Sequence, residues 1–154
     1  IAIRLIGILS SLAIPHYNSD TQKAYTAHSL SEVNHLFLFE NNFFNEFSEF
    51  VDIDSSEKSS SGIISKPVTL ISGAIEIFEL KGLSPMVNIA AKTGANKQTI
   101  IVGGKHDASS DMLAIDLDAS SKGIRKKTLA GSFSESDLPD ASISDDLSAW
   151  LTYP

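Results

Sequence analysis

The chain has 154 residues, 42% of them hydrophobic and 20% charged, which suits one domain with a packed core and excludes wholesale disorder. Its net charge is −7, with a pI near 4.9; such a surface repels phosphate backbones and argues against general nucleic-acid binding. There is no cysteine, so disulfides, thiolate metal sites and cysteine nucleophiles are excluded.

Residues 1–14 (IAIRLIGILSSLAI) are apolar apart from Arg4 and the pair Ser10–Ser11. By itself this run is shorter than the roughly 20 residues needed to span a bilayer. It also has the look of a signal-peptide core, but Pro15 and a long helical pattern follow it where a small-residue cleavage site would stand. Residues 16–50 contain neither Gly nor Pro. Tyr17, Ala24, Leu30, Val33, Phe37 and Phe44, flanked by Leu36, Phe43, Phe47 and Phe50, recur at the spacing of one helix face. This predicts one helix about 50 Å long. Its Phe-rich half, Leu36 to Phe50, is the expected core face, each buried ring contributing roughly 1.5–3 kcal/mol.

The segment 52–62 (DIDSSEKSSSG) reads as a loop. Strand signals follow at Val68–Ile71, at Ala74–Leu80 with Ile75, Ile77 and Glu79 alternating to one side, at Val87–Ala91, at Gln98–Val102 and at Met112–Leu117. Lys81-Gly82, Ser84-Pro85, Thr93-Gly94 and Gly103-Gly104 are read as the turns between them. From Ser120 the tail is polar, with apolar anchors at Leu129, Phe133, Ile143, Leu147, Trp150, Leu151 and Tyr153. Long helix, loop, meander and tail in that order predict an α+β fold, the helix packed against a small antiparallel sheet with an irregular C-terminal tail.

Few residues carry chemistry. Asp52-Ile-Asp54-Ser-Ser56 and Asp116-Leu-Asp118-Ala-Ser120 share a D-x-D-x-S spacing that opens many calcium loops, so Asp52, Asp54, Asp116 and Asp118 are calcium candidates; neither run has the glycine and glutamate of an EF-hand. His16, His28, His35 and His106 share no metal motif. There is no G-x-S-x-G elbow and no P-loop, and no acid, base and nucleophile assemble into a catalytic set, so an enzyme is not expected. The basic run 122–127 (KGIRKK) reads as a solvated loop, or else as a patch that meets acidic neighbours or DNA. Serine clusters at 55–61, 109–110 and 132–136 suit exposed loops, which O-linked glycans would suit too.

The run Ile6-Gly7-Ile8-Leu9-Ser10-Ser11-Leu12-Ala13-Ile14-Pro15 followed by Tyr17 resembles the type IV pilin helix, written I-G-I-L-A-A-I-A-I-P-x-Y, and the likeness continues through QKAYTAHSLSEV to Val33. Aligning Gly7 and Pro15 places further family residues ahead of Ile1, among them the methylated Phe and the assembly glutamate that this sequence lacks; Arg4 departs from an otherwise apolar family segment. The resemblance implies a structural subunit that polymerises into a helical filament for adhesion, motility or surface contact. It implies no cofactor, although calcium occurs in some relatives' C-terminal loops. The expected self-assembly core is Ile1, Ile3, Leu5, Ile6, Gly7, Ile8, Leu9, Leu12, Ile14, Pro15 and Tyr17. The expected division is an assembly part at 1–30 and a head at 31–154. The implied partners are identical subunits, the inner membrane before assembly and the pilus assembly machinery, with an extracellular filament on a bacterial surface as the final location. A type II secretion pseudopilin shares the same helix and is the alternative, followed by a membrane-anchored binding domain. Gly7 and Pro15 weaken the helix between them, so residues 7–15 are expected to melt in a filament.

Overall fold

A computed structural model describes the backbone of residues 2–118 and 123–154 and the side chains from Tyr17 onward, those of 119–122 excepted. The chain opens with α1, Ala2–Phe47. A two-stranded antiparallel sheet follows, β1 (Ile64–Thr69) with β2 (Ile75–Leu80), and then a five-stranded antiparallel meander in the order β3 (Val87–Thr93), β4 (Ile100–His106), β5 (Asp111–Asp116), β6 (Arg125–Thr128) and β7 (Leu151–Thr152). The α+β class expected from the sequence is the one observed.

The helix ends three residues short of the expected Phe50. Nothing in the local sequence forbids another turn, but Ser48 takes a left-handed φ of 60°, and its N–H still donates to Phe44 O at 2.7 Å. Tertiary groups hold that end: Gln98 Nε2 donates to Ser48 O at 2.7 Å, the Phe50 N–H donates to Lys97 O at 2.9 Å, and the Phe50 ring folds back to stack on Phe44 at 4.3 Å. Phe50 is therefore core, but in the connector and not on the helix.

The meander is the middle of three layers. One face meets α1 through Ile89, Ala91, Ile100, Val102 and Ile115 against Val33, Leu36 and Phe43, with Phe78, Leu80 and Val68 of the small sheet completing the same core. Phe37, Phe39, Phe44 and Phe47 pack on its edge, half-buried. The opposite face, Ala90, Ile101, Met112 and Ala114, is covered by the tail through Phe133, Leu138, Ala141 and Leu147. Strand residues alternate between faces, so a central strand covered on both sides reads as a continuous apolar run; β4 and β5 have that character.

Several expectations are corrected by this packing. Gly103-Gly104 is not a turn but the interior of β4. A Cβ on Gly104 would lie 2.8 Å from Val33 Cγ2, and one on Gly103 would lie 2.7 Å from Leu138 Cδ2. The two glycines let the helix and the tail each close on the strand from opposite sides. In β2 the alternation is present, but Ile75 and Ile77 face solvent, 67% and 62% exposed, while Phe78 and Leu80 are buried. Phe78 wins the interior because its ring meets Phe39 and Phe43 at 4.9 and 5.5 Å. The basic run is not a loop over 125–128: those residues form β6, with Arg125 paired to Asp145, Lys126 to Asp111, and Lys127 Nζ 5.5 Å from the Trp150 ring centroid. In the tail, Phe133 and Leu147 are anchors as expected, whereas Ile143 and Leu151 are exposed.

Candidate self-assembly surface

The helix and the head meet from Gln22 on. Gln22 Nε2 donates to Ala108 O at 3.1 Å and its Oε1 accepts from Ser110 N at 3.3 Å, which clamps α1 to the β4–β5 turn. One turn further, Tyr25 stacks on His106 at 4.4 Å, with His28 at 5.8 Å from the same imidazole. Burial, and then the neighbouring His28, hold His106 below the ordinary histidine range, and its Nδ1 accepts from Ala108 N at 3.1 Å. Thr26 and Ser29 are buried, their hydroxyls turned onto the carbonyls of Gln22 and Tyr25, so polar groups sit under the helix without an unmade bond. Small side chains here and Gly104 below Val33 permit the close approach.

Before Gln22 the helix has no such clamp among the described residues. Tyr17 is 73% exposed. Asp20 and Lys23 form a solvent-facing pair at 3.5 Å, and Ala24 and Ala27 are exposed. The remaining expected core residues, Ile1, Ile3, Leu5, Ile6, Gly7, Ile8, Leu9, Leu12, Ile14 and Pro15, lie outside the residues whose side chains are described, as do Arg4 and His16. Head packing therefore begins ahead of residue 31. Among the described residues no helix is long and apolar enough to cross a membrane.

The aspartates of the two D-x-D-x-S runs turn onto backbone amides. Asp52 Oδ1 accepts from the Thr93 N–H and hydroxyl at 2.7 and 2.8 Å. Asp54 caps the 3-10 turn Ser55–Glu57 through Ser56 N at 2.9 Å and also accepts from Glu135 N, and the hydrogen bonds from Ser56 hold its carboxyl below the usual range. Asp116 accepts from the amides of Asp118 and Asp146, and Asp118 accepts from Ile100 N. Among the described residues no three His, Asp or Glu side chains converge as a metal site. The spacing belongs to caps and loop ties, which use the same short carboxylate that calcium loops use.

Helical spacing puts Glu40 and Glu49 on the polar remainder of the expected helix and gives Glu32 no role, yet all three are buried. Glu32, Glu40 and Glu49 each give one oxygen to the amide of a different connector: Glu32 to Ser84 at 3.2 Å, Glu40 to Val51 at 3.1 Å, and Glu49 to Ile71. The second oxygen of each accepts no hydrogen bond. A charged residue among phenylalanines is the signal that would have marked them; helical spacing alone assigns such residues to the solvent face.

Compared with protein-family models, curated proteins and solved structures, the chain gives no match.

Proposed function

We propose that this chain is the structural subunit of a type IV pilus-like helical filament. The observation that carries the reading is a single helix, Ala2–Phe47, clamped to a head domain at Gln22, whose N-terminal part carries the pilin-like run from Ile6 to Tyr17. An apolar segment such as residues 1–14 needs apolar neighbours; copies of itself would supply them, bundled at the centre of a polymer with the heads outward. Exposed Tyr17 lies at the junction, where a ring has room to pack between adjacent helices. Arg4 would cost about 2.5–3.5 kcal/mol in a bilayer interior and so requires a partner in the assembled core.

The test is polymerisation itself. Leu9→Asp places a carboxylate in the proposed core and is expected to abolish filaments seen by electron microscopy while leaving the head folded by circular dichroism. Normal filaments from Leu9→Asp would overturn the reading. Filament length in the wild-type sample distinguishes a long surface fibre from the short piston of a secretion system.

A further inference from the structure

Three loops border the strands β1 and β2, the entry from α1, the hairpin turn and the exit toward β3, and a buried glutamate holds each one. Glu40 grips the segment leading from α1 to β1 through Val51, Glu49 grips the β1–β2 turn through Ile71, and Glu32 grips the exit toward β3 through Ser84. Lysines reinforce the same places. Lys97 Nζ lies 3.5 Å from Glu49 Oε2 and donates to Thr69 O at 2.9 Å. Lys58, whose ammonium feels the charge of Glu32, donates to the carbonyls of Ser84, Pro85 and Val87. Glu40 differs from the other two. It is completely buried, its Oε1 has no hydrogen-bond partner, and no ion pair reaches it among the described residues. The charged groups that act on it are Asp52 from the connector and Lys66 from β1. The Lys66 ammonium is already engaged by Asp52 O and both Glu57 oxygens.

We infer that Glu40 is a proton-operated latch: protonated, it holds the α1–β1 connector against the helix, and ionised, it releases the connector and loosens the β1–β2 hairpin. A fully buried carboxylate has lost its water and found a single amide in return, which does not offset the loss. Asp52 adds a like charge. Burial accordingly raises the Glu40 carboxyl from 4.5 to about 8, against the pull of the Val51 amide and Lys66. The sign follows from linkage. A carboxyl whose folded pKa is raised binds more protons folded than unfolded, so its closed form is fully favoured below 4.5 and loses ground as pH climbs to about 8. Within that window the latch weakens with every step toward alkaline pH.

Hydrogen exchange of the full chain, read by mass spectrometry and corrected for the intrinsic pH dependence of amide exchange, tests the latch. Between about pH 6 and about pH 8 the opening equilibrium of 49–53 and 64–83 should rise roughly 50-fold, ahead of β4 and β5. Glu40→Gln keeps an acceptor for the Val51 amide but cannot ionise, and should flatten that pH response. Equal pH responses in wild type and Glu40→Gln would overturn the latch, as would simultaneous loss of protection in the hairpin and in β4–β5. Glu49→Gln, whose parent side chain is paired to Lys97, should leave the wild-type pH response intact.

Discussion

Gly104 shows how one residue can set the distance between two layers. Its missing side chain leaves room for Val33 above and for the Asn88 carbonyl alongside, which a Cβ would approach to 3.1 Å. Gly104→Ala should cost about 1–3 kcal/mol in urea denaturation through overpacking, with the helix lifted from β4. His106 offers a second test at this scale. Its pKa is depressed by burial and by His28, so folding stability is full above the ordinary value of 6.5 and should fall as pH drops below it. His106→Phe, which keeps a ring for Tyr25 but cannot take a proton, should reduce that acid sensitivity, measured as midpoint denaturant concentration against pH.

At the scale of elements, α1 serves two environments along one rod. Its second half carries apolar residues nearly all round at Leu36, Phe37, Leu38 and Phe39, yet only Leu36 is fully buried and Leu38 is 60% exposed. Phe78 of β2 is the ring that joins the small sheet to this helix, touching Phe39 and Phe43. Phe78→Ala should cost about 3–5 kcal/mol by chemical denaturation, and the loss should concentrate in β1–β2. The first half of α1 belongs to the proposed polymer. In the single chain α1 runs unbroken through Gly7 and Pro15, so the melting expected from those two residues is a property to be sought in the filament. There the rise across 7–15 should lengthen from 1.5 Å toward about 3.3 Å per residue; a filament map with an unbroken 1.5 Å rise would show that packing overrides Gly7 and Pro15.

At the scale of the whole molecule, a tail with little regular structure closes one face of the meander without a disulfide. Polar ties do the work that a cysteine pair would do elsewhere. Lys105, nearly fully buried, donates to Gly131 O at 2.9 Å; Ser55 Oγ donates to Phe133 O, Thr99 Oγ1 to Ala141 O, and Asp116 receives the Asp146 amide. These bonds come from four separate places in the earlier chain, so the tail is fastened along its length and not at one point. Truncation after Ala130 should uncover Ile101, Met112 and Ala114 and convert the head into an aggregating species, measurable by light scattering at concentrations where the full chain stays dispersed.

The α+β class and the existence of one very long helix were legible in the sequence alone, because a run of 35 residues from His16 to Phe50 without Gly or Pro and at helical period admits little else; the strands β6 and β7, and the division into two sheets, were not. The likeness of the run from Ile6 to Tyr17 to a pilin helix is read from residue identity alone, and the function built on it is a proposal. Which face of each strand turned inward was decided only by the tertiary structure. Ile75-Glu76-Ile77-Phe78-Glu79-Leu80 alternates either way round, and it was the rings of Phe39 and Phe43 that selected Phe78. Gly103-Gly104 carries the same local signal as a turn until a helix and a tail arrive on its two sides. The three connector-holding glutamates were invisible for the same reason: burial of a charge is a property of what folds over it, and Glu40 acquires its role only when the chain beyond Phe47 returns to lay the Val51 amide against it.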